Sequence, residues 1–133
     1  MKYATLKFRR TLIIAASALL LSNAVWAGNI VKTEVYVTST SASGSIRDAR
    51  YSNDRLQHIG CSVSTATNSS EDYIYCSAKD KAGNSFWCHS IGSSAANFKK
   101  ALKTVNDYSL ISVHKNGDGT CSNLYIENSS FYL

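Results

Sequence analysis

Residues 73–90 read YIYCSAKDKAGNSFWCHS, and their reading decides the fold. The first six alternate, with Ile74, Cys76 and Ala78 on one side of an extended chain and Tyr73 and Tyr75 on the other. Residues 80–84 then supply a turn. A type I turn centred on Lys81 and Ala82, with Gly83 in the left-handed region, closes a three-residue hairpin loop. Residues 85–90 return as the partner strand. A loop centred on Ala82 sets Cys76 opposite Cys88 and leaves Trp87 on the tyrosine side.

Working outward, residues 56–63 (LQHIGCSV) alternate loosely and read as a preceding strand. Residues 30–38 (IVKTEVYVT) are rich in β-formers, with Val31, Val35 and Val37 on one parity. Residues 39–45 (STSASGS) read as a flexible turn, and 65–72 as a polar loop. Ile46 and Ala49, spaced i, i+3 among charged residues, fit a short helical turn or an irregular loop. Downstream, Ser93 or Ser94 caps a helix reaching about Val105, with Ala95, Phe98, Leu102 and Val105 as its buried stripe. Residues 108–113 and 120–127 form a terminal hairpin around Asn116, Gly117, Asp118 and Gly119. The expected fold class is therefore α+β: an antiparallel β-sheet of about five or six strands, with one helix packed on one face. The chain has no proline, no linker-like change of composition and no internal repeat, so residues 28–133 read as a single compact domain.

The first 27 residues carry a different signal. Lys2, Lys7, Arg9 and Arg10 precede a ten-residue apolar stretch at 12–21, and Val25 and Ala27 fill the −3 and −1 positions of a cleavage site. A membrane-spanning helix needs about 20 apolar residues, so residues 1–27 read as a signal peptide. The protein is then exported, to the periplasm or beyond, with no stable membrane insertion after cleavage. The leader also distorts the charge. The 133 residues hold 14 Lys and Arg against 9 Asp and Glu, a net of +5. Removing the four leader cations leaves ten against nine. A net of +1 exerts no long-range pull on nucleic acid, so no nucleic-acid partner is expected.

Cys61, Cys76, Cys88 and Cys121 are an even number in a small exported chain, which reads as two disulfides. A zinc site or a thioredoxin-like redox site would need close C-x-x-C pairs, and the chain has none. The hairpin register favours Cys76–Cys88, leaving Cys61–Cys121. The alternative is Cys61–Cys76 with Cys88–Cys121, which also joins neighbours in a meander. A Cys61–Cys88 bridge would have to skip a strand.

Catalytic signatures are missing. The loop at 116–119 places Asn116, Asp118 and Gly119 like part of a calcium loop, but His114 and Tyr125 stand where acidic ligands belong, so it reads as a turn. His58, His89 and His114 have no partner at metal-ligand spacing and read as surface residues. No G-x-S-x-G elbow occurs, and nothing singles out a Ser–His–Asp set. No catalytic residue, metal or cofactor is assigned. The exception to this plainness is Tyr73, Tyr75 and Trp87, which lie on an open face if the helix covers the cysteine side. Such rings beside Ser and Asn suit recognition of a carbohydrate or a protein. Cross-strand packing would explain the same residues without a partner.

The run at 44–61 (GSIRDARYSNDRLQHIGC), the pattern C-x-A-x-D-x-x-G-x-x-x-x-C from Cys76 to Cys88, and Gly119-Thr120-Cys121 together resemble a group of small exported bacterial proteins of unknown function. These carry a signal peptide, an IGC strand, the same hairpin pattern and a late G-x-C strand. The resemblance implies export and a four-cysteine framework, and carries over no catalytic residues. The expected function is a non-enzymatic binding module for a protein or glycan, with Tyr73, Tyr75 and Trp87 as its contact residues. The alternative is a small secreted hydrolase or a hydrolase inhibitor.

Overall fold

The computed structural model describes residues 32–65 and 71–129. The signal peptide expected at 1–27 lies outside these residues, as does most of the loop expected at 65–72. Within them the chain forms β1 (Tyr36–Val37), β2 (Ser41–Ser45), α1 (Ile46–Arg50), β3 (His58–Thr65), β4 (Asp72–Lys79), β5 (Ser85–Ile91), α2 (Ser93–Leu102), β6 (Ser109–Lys115) and β7 (Cys121–Asn128).

The strands form two antiparallel sheets instead of the one expected, and two helices replace one. One sheet has four strands in the order β1-β2-β6-β7, and the other has three in the order β3-β4-β5. The division starts at residues 41–45, expected to be a flexible turn. These small residues form β2, which pairs with β6 from Ser41 opposite His114 to Ser45 opposite Leu110. Their size permits close packing. A Cβ on Gly44 would lie 2.9 Å from the Cα of Val35. The pairing draws the β6–β7 hairpin away from β5. The edges of the two sheets meet where His89 faces Thr120 in a parallel bridge, with the His89 N–H donating to the Gly119 carbonyl at 3.2 Å.

The β4–β5 hairpin follows the sequence closely. Gly83 N–H donates to the Asp80 carbonyl, Gly83 has φ of 90°, and Cys76 stands opposite Cys88. The Asp80 carboxylate accepts from the N–H groups of Ala82 and Asn84 and from the Asn84 amide. These bonds favour its charged form and hold its carboxyl below the usual range, the Asn84 side chain contributing most. α1 is capped by Ser45, whose hydroxyl accepts the Asp48 N–H. α2 starts without a side-chain cap: Gly92, at φ of 67°, occupies the position expected for Ser93 or Ser94. The helix presents the expected stripe through Ala95, Phe98 and Leu102, but it ends at Leu102, short of the expected Val105, which packs on the core from the segment that follows. Lys99 donates to Asp72 at 2.7 Å and ties α2 to β4.

Both sheets and both helices contribute to one buried cluster. Ile74, Cys76, Ala78, Phe86 and Cys88 come from the three-stranded sheet, Ala42, Ile111, Val113 and Cys121 from the other, and Ala49 and Ala95 from the helices. The bridges are Cys61–Cys76 and Cys88–Cys121, not the favoured Cys76–Cys88 and Cys61–Cys121. The reason lies in hydrogen-bond phase. Cys76 is opposite Cys61 on one side and Cys88 on the other, so the three form a row across the sheet. Because His89 spends its N–H on Gly119, away from β4, the alternate residue Cys88 is in hydrogen-bonded register with Cys76. The backbone groups of Cys76 then point at β5, and Cys76 faces Cys61 as a non-hydrogen-bonded pair, with Cα atoms 4.0 Å apart. Side chains approach more closely in that type of pair. Cys88 turns instead to Cys121, 5.1 Å away between Cα atoms, and links β5 to β7.

Candidate functional site

The side of the three-stranded sheet away from the cysteines carries the expected aromatic residues. Strand alternation puts Tyr73 and Tyr75 of β4 and Trp87 of β5 on this face, with exposures of 40%, 38% and 49%. The register sets Tyr75 opposite His89 and Tyr73 opposite Ile91. Tyr73, His89 and Trp87 form one row. The His89 ring lies 6.2 Å from each of the other two, with planes inclined by 18° and 19°. Ser62 and Ser64 of β3 flank the tyrosines, and Ser77 lies opposite Trp87.

Two features support Trp87. The Lys115 ammonium sits 5.6 Å from its ring centre, a cation–π contact. Gly119, at φ of 85°, packs against its six-membered ring: a Cβ there would be 3.4 Å from the ring edge. The turn that supplies Gly119 is braced by Asp118, whose carboxylate accepts from the Thr120 hydroxyl and N–H. Those two bonds lower its pKa, and the charge of nearby His89 lowers it slightly further.

The structure thus brings Tyr73, Tyr75 and Trp87 onto one face. Strand parity already sets His89 on the side of Trp87, two residues before it. The stacking of its ring against both Tyr73 and Trp87 depends on the β4–β5 pairing and was not part of the reading of His89 as a surface residue. His58 is exposed on the same face, opposite Lys79, and His114 is exposed on β6 of the other sheet.

A concavity of about 730 Å³ lies apart from this face, where α1 and the segment after it meet the start of β6. It is lined by Arg47, Asp48, Arg50, Tyr51, Asp107 and Tyr108 among others, and no histidine contributes. Its charges are tied to the fold. Arg50 pairs with Asp107 at 3.4 Å, the Arg47 guanidinium lies 5.6 Å above the Tyr108 ring, and Asp48 accepts the Thr33 N–H. Asp54 accepts from the Gln57 amide and from the Leu56 and Gln57 N–H groups, which lower its pKa, the Gln57 side chain most. Ser52 donates its hydroxyl to the Ala49 carbonyl. The same hydroxyl also lies 3.3 Å from the Asp54 carboxylate as a donor.

The sulfurs of Cys76, Cys88 and Cys121 lie within 4.8 Å of one another in the core. All are in bridges, so none offers a thiolate to a metal. Among the described residues no helix is long and apolar enough to cross a membrane. Comparison of the chain with protein-family models, curated proteins and solved structures finds no match.

Proposed function

We propose that this chain is a non-enzymatic, exported binding module that captures a glycan through the face carrying Tyr73, Tyr75 and Trp87. The row of Tyr73, His89 and Trp87, held at regular 6.2 Å steps on a disulfide-braced sheet, carries this reading. A rigid aromatic surface loses little conformational entropy on binding. The polarity of the face favours a glycan over a protein. Among its residues on the three strands, Lys79 is the sole full charge, and the remainder are aromatic, small or hydroxyl-bearing apart from Ile91 and two histidines. A neutral polyol sets its C–H faces on the rings and its hydroxyls on Ser and His. Protein hot spots draw on arginine and on deep apolar pockets, which this face lacks.

The test compares wild type with a Tyr73→Ala, Tyr75→Ala, Trp87→Ala variant on an array of immobilised glycans, with circular dichroism to check folding. Wild type should retain defined glycans, and the folded variant should lose them. Retention by the variant, or capture of protein with no glycan, would overturn the reading.

A further inference from the structure

The three core sulfurs suggest chemistry that the aromatic face does not use. Cys76 is bridged to Cys61, yet its sulfur lies within 4.8 Å of both sulfurs of the Cys88–Cys121 bridge. Cys76 and Cys88 are fully buried, whereas Cys61 is only partly so and belongs to edge strand β3. An incoming thiolate therefore reaches the first bridge at Cys61. We propose that Cys76 is a relay thiol, which, once its bridge to Cys61 is reduced, takes over Cys121 and releases Cys88.

The step balances with a dithiol reductant. One thiolate of the reductant attacks the Cys61 sulfur, forms a mixed disulfide and expels Cys76 as thiolate. The second thiol closes the reductant into a cyclic disulfide and releases Cys61, which takes up a proton. Two electrons have passed to the protein. The Cys76 thiolate then attacks the Cys121 sulfur, an S–S bond forms between them, and the Cys88–Cys121 bond breaks. Its electron pair leaves with Cys88, which is protonated. Attack at Cys121 is favoured over attack at Cys88 because Cys76 and Cys88 are in hydrogen-bonded register, which holds their side chains apart.

The product shifts the link between the sheets from β5 to β4. The bridged neighbour of His89 is then free, which loosens the bond from the His89 N–H to Gly119, the residue packed against Trp87. On the reading of the aromatic face as the binding surface, the relay is a redox control of that surface.

The test treats the disulfide-bonded protein with a limiting amount of dithiothreitol, quenches with acid, alkylates with N-ethylmaleimide and maps linked peptides by mass spectrometry. Alkylation of Cys61 and Cys88 with a Cys76–Cys121 peptide is expected. Alkylation of Cys61 and Cys76 with Cys88–Cys121 intact would overturn the relay, and so would a Cys76–Cys88 peptide. A Cys61→Ala variant supplies the Cys76 thiol without reductant, and its label should appear on Cys88; label confined to Cys76 would count against the proposal. The amide of His89 should exchange faster in the relayed product, and unchanged protection would sever the link to the aromatic face. None of these readouts depends on glycan capture, so failure of the binding reading remains separable.

Discussion

Replacing Cys88 and Cys121 together by alanine tests the staple between the sheets. The bridge joins positions separated by 33 in sequence. By the loop-entropy relation, −2.1 − 1.5R ln n, a closed loop of that length stabilises the folded state by about 3.7 kcal/mol at 25 °C. The corresponding double substitution at Cys61 and Cys76, with a separation of 15, should cost about 3 kcal/mol. For a domain of this size the larger loss lowers the midpoint of thermal unfolding by roughly 15–30 °C. Urea unfolding followed by circular dichroism measures both losses. It also reads the mechanism. If the bridge acts through the unfolded chain, its removal lets that chain expand, and the slope of free energy against urea increases. A loss below about 1 kcal/mol with an unchanged slope would refute the reasoning. The Cys88–Cys121 bridge would then be no constraint on the unfolded chain, and the core cluster alone would join the sheets.

Gly44→Ala should destabilise the fold by about 1–3 kcal/mol, because the new methyl meets the Val35 backbone in a packed layer; an unchanged thermal midpoint would show that β1 can move aside. Acid should destabilise the protein through Asp54, Asp72, Asp80 and Asp118, whose folded-state carboxyls all lie below the ordinary value of 3.8. For groups lowered by folding, the contribution is complete above that value and is lost as pH falls through the folded pKa values. Urea midpoints should be flat from neutrality to about pH 5 and then decline. The Lys99 hydrogen bond is the largest cause of the lowered Asp72 pKa, so in a Lys99→Met variant its carboxyl resonance should titrate at higher pH.

The parts of the fold legible in the sequence are those fixed by near neighbours. Asp80, Lys81, Ala82 and Gly83 set the β4–β5 turn, and with it the opposition of Cys76 and Cys88. The stripe of Ala95, Phe98, Leu102 and Val105 located α2. Tyr73, Tyr75 and Trp87 followed from alternation once the hairpin was in place. What escaped depends on contacts distant in the chain. Ser41, Ala42, Ser43 and Gly44 carry no β-propensity, and they form a strand because β6 lies beside them and Val35 packs against Gly44. Without β2 there was no cause to divide the sheet. The disulfide pairing needed the phase of the ladder as well as its register, and the phase was visible only in the bond from His89 to Gly119.

The row of cysteines across the three-stranded sheet has an odd count. Three sulfurs cannot pair off among themselves, and the fourth, on β7, belongs to the other sheet. Every complete oxidation of this chain therefore ties the two sheets together, whichever neighbour Cys76 takes. Reshuffling alters which strand carries the tether and never leaves a fully oxidised chain without one, so an error in pairing still yields a cross-linked core.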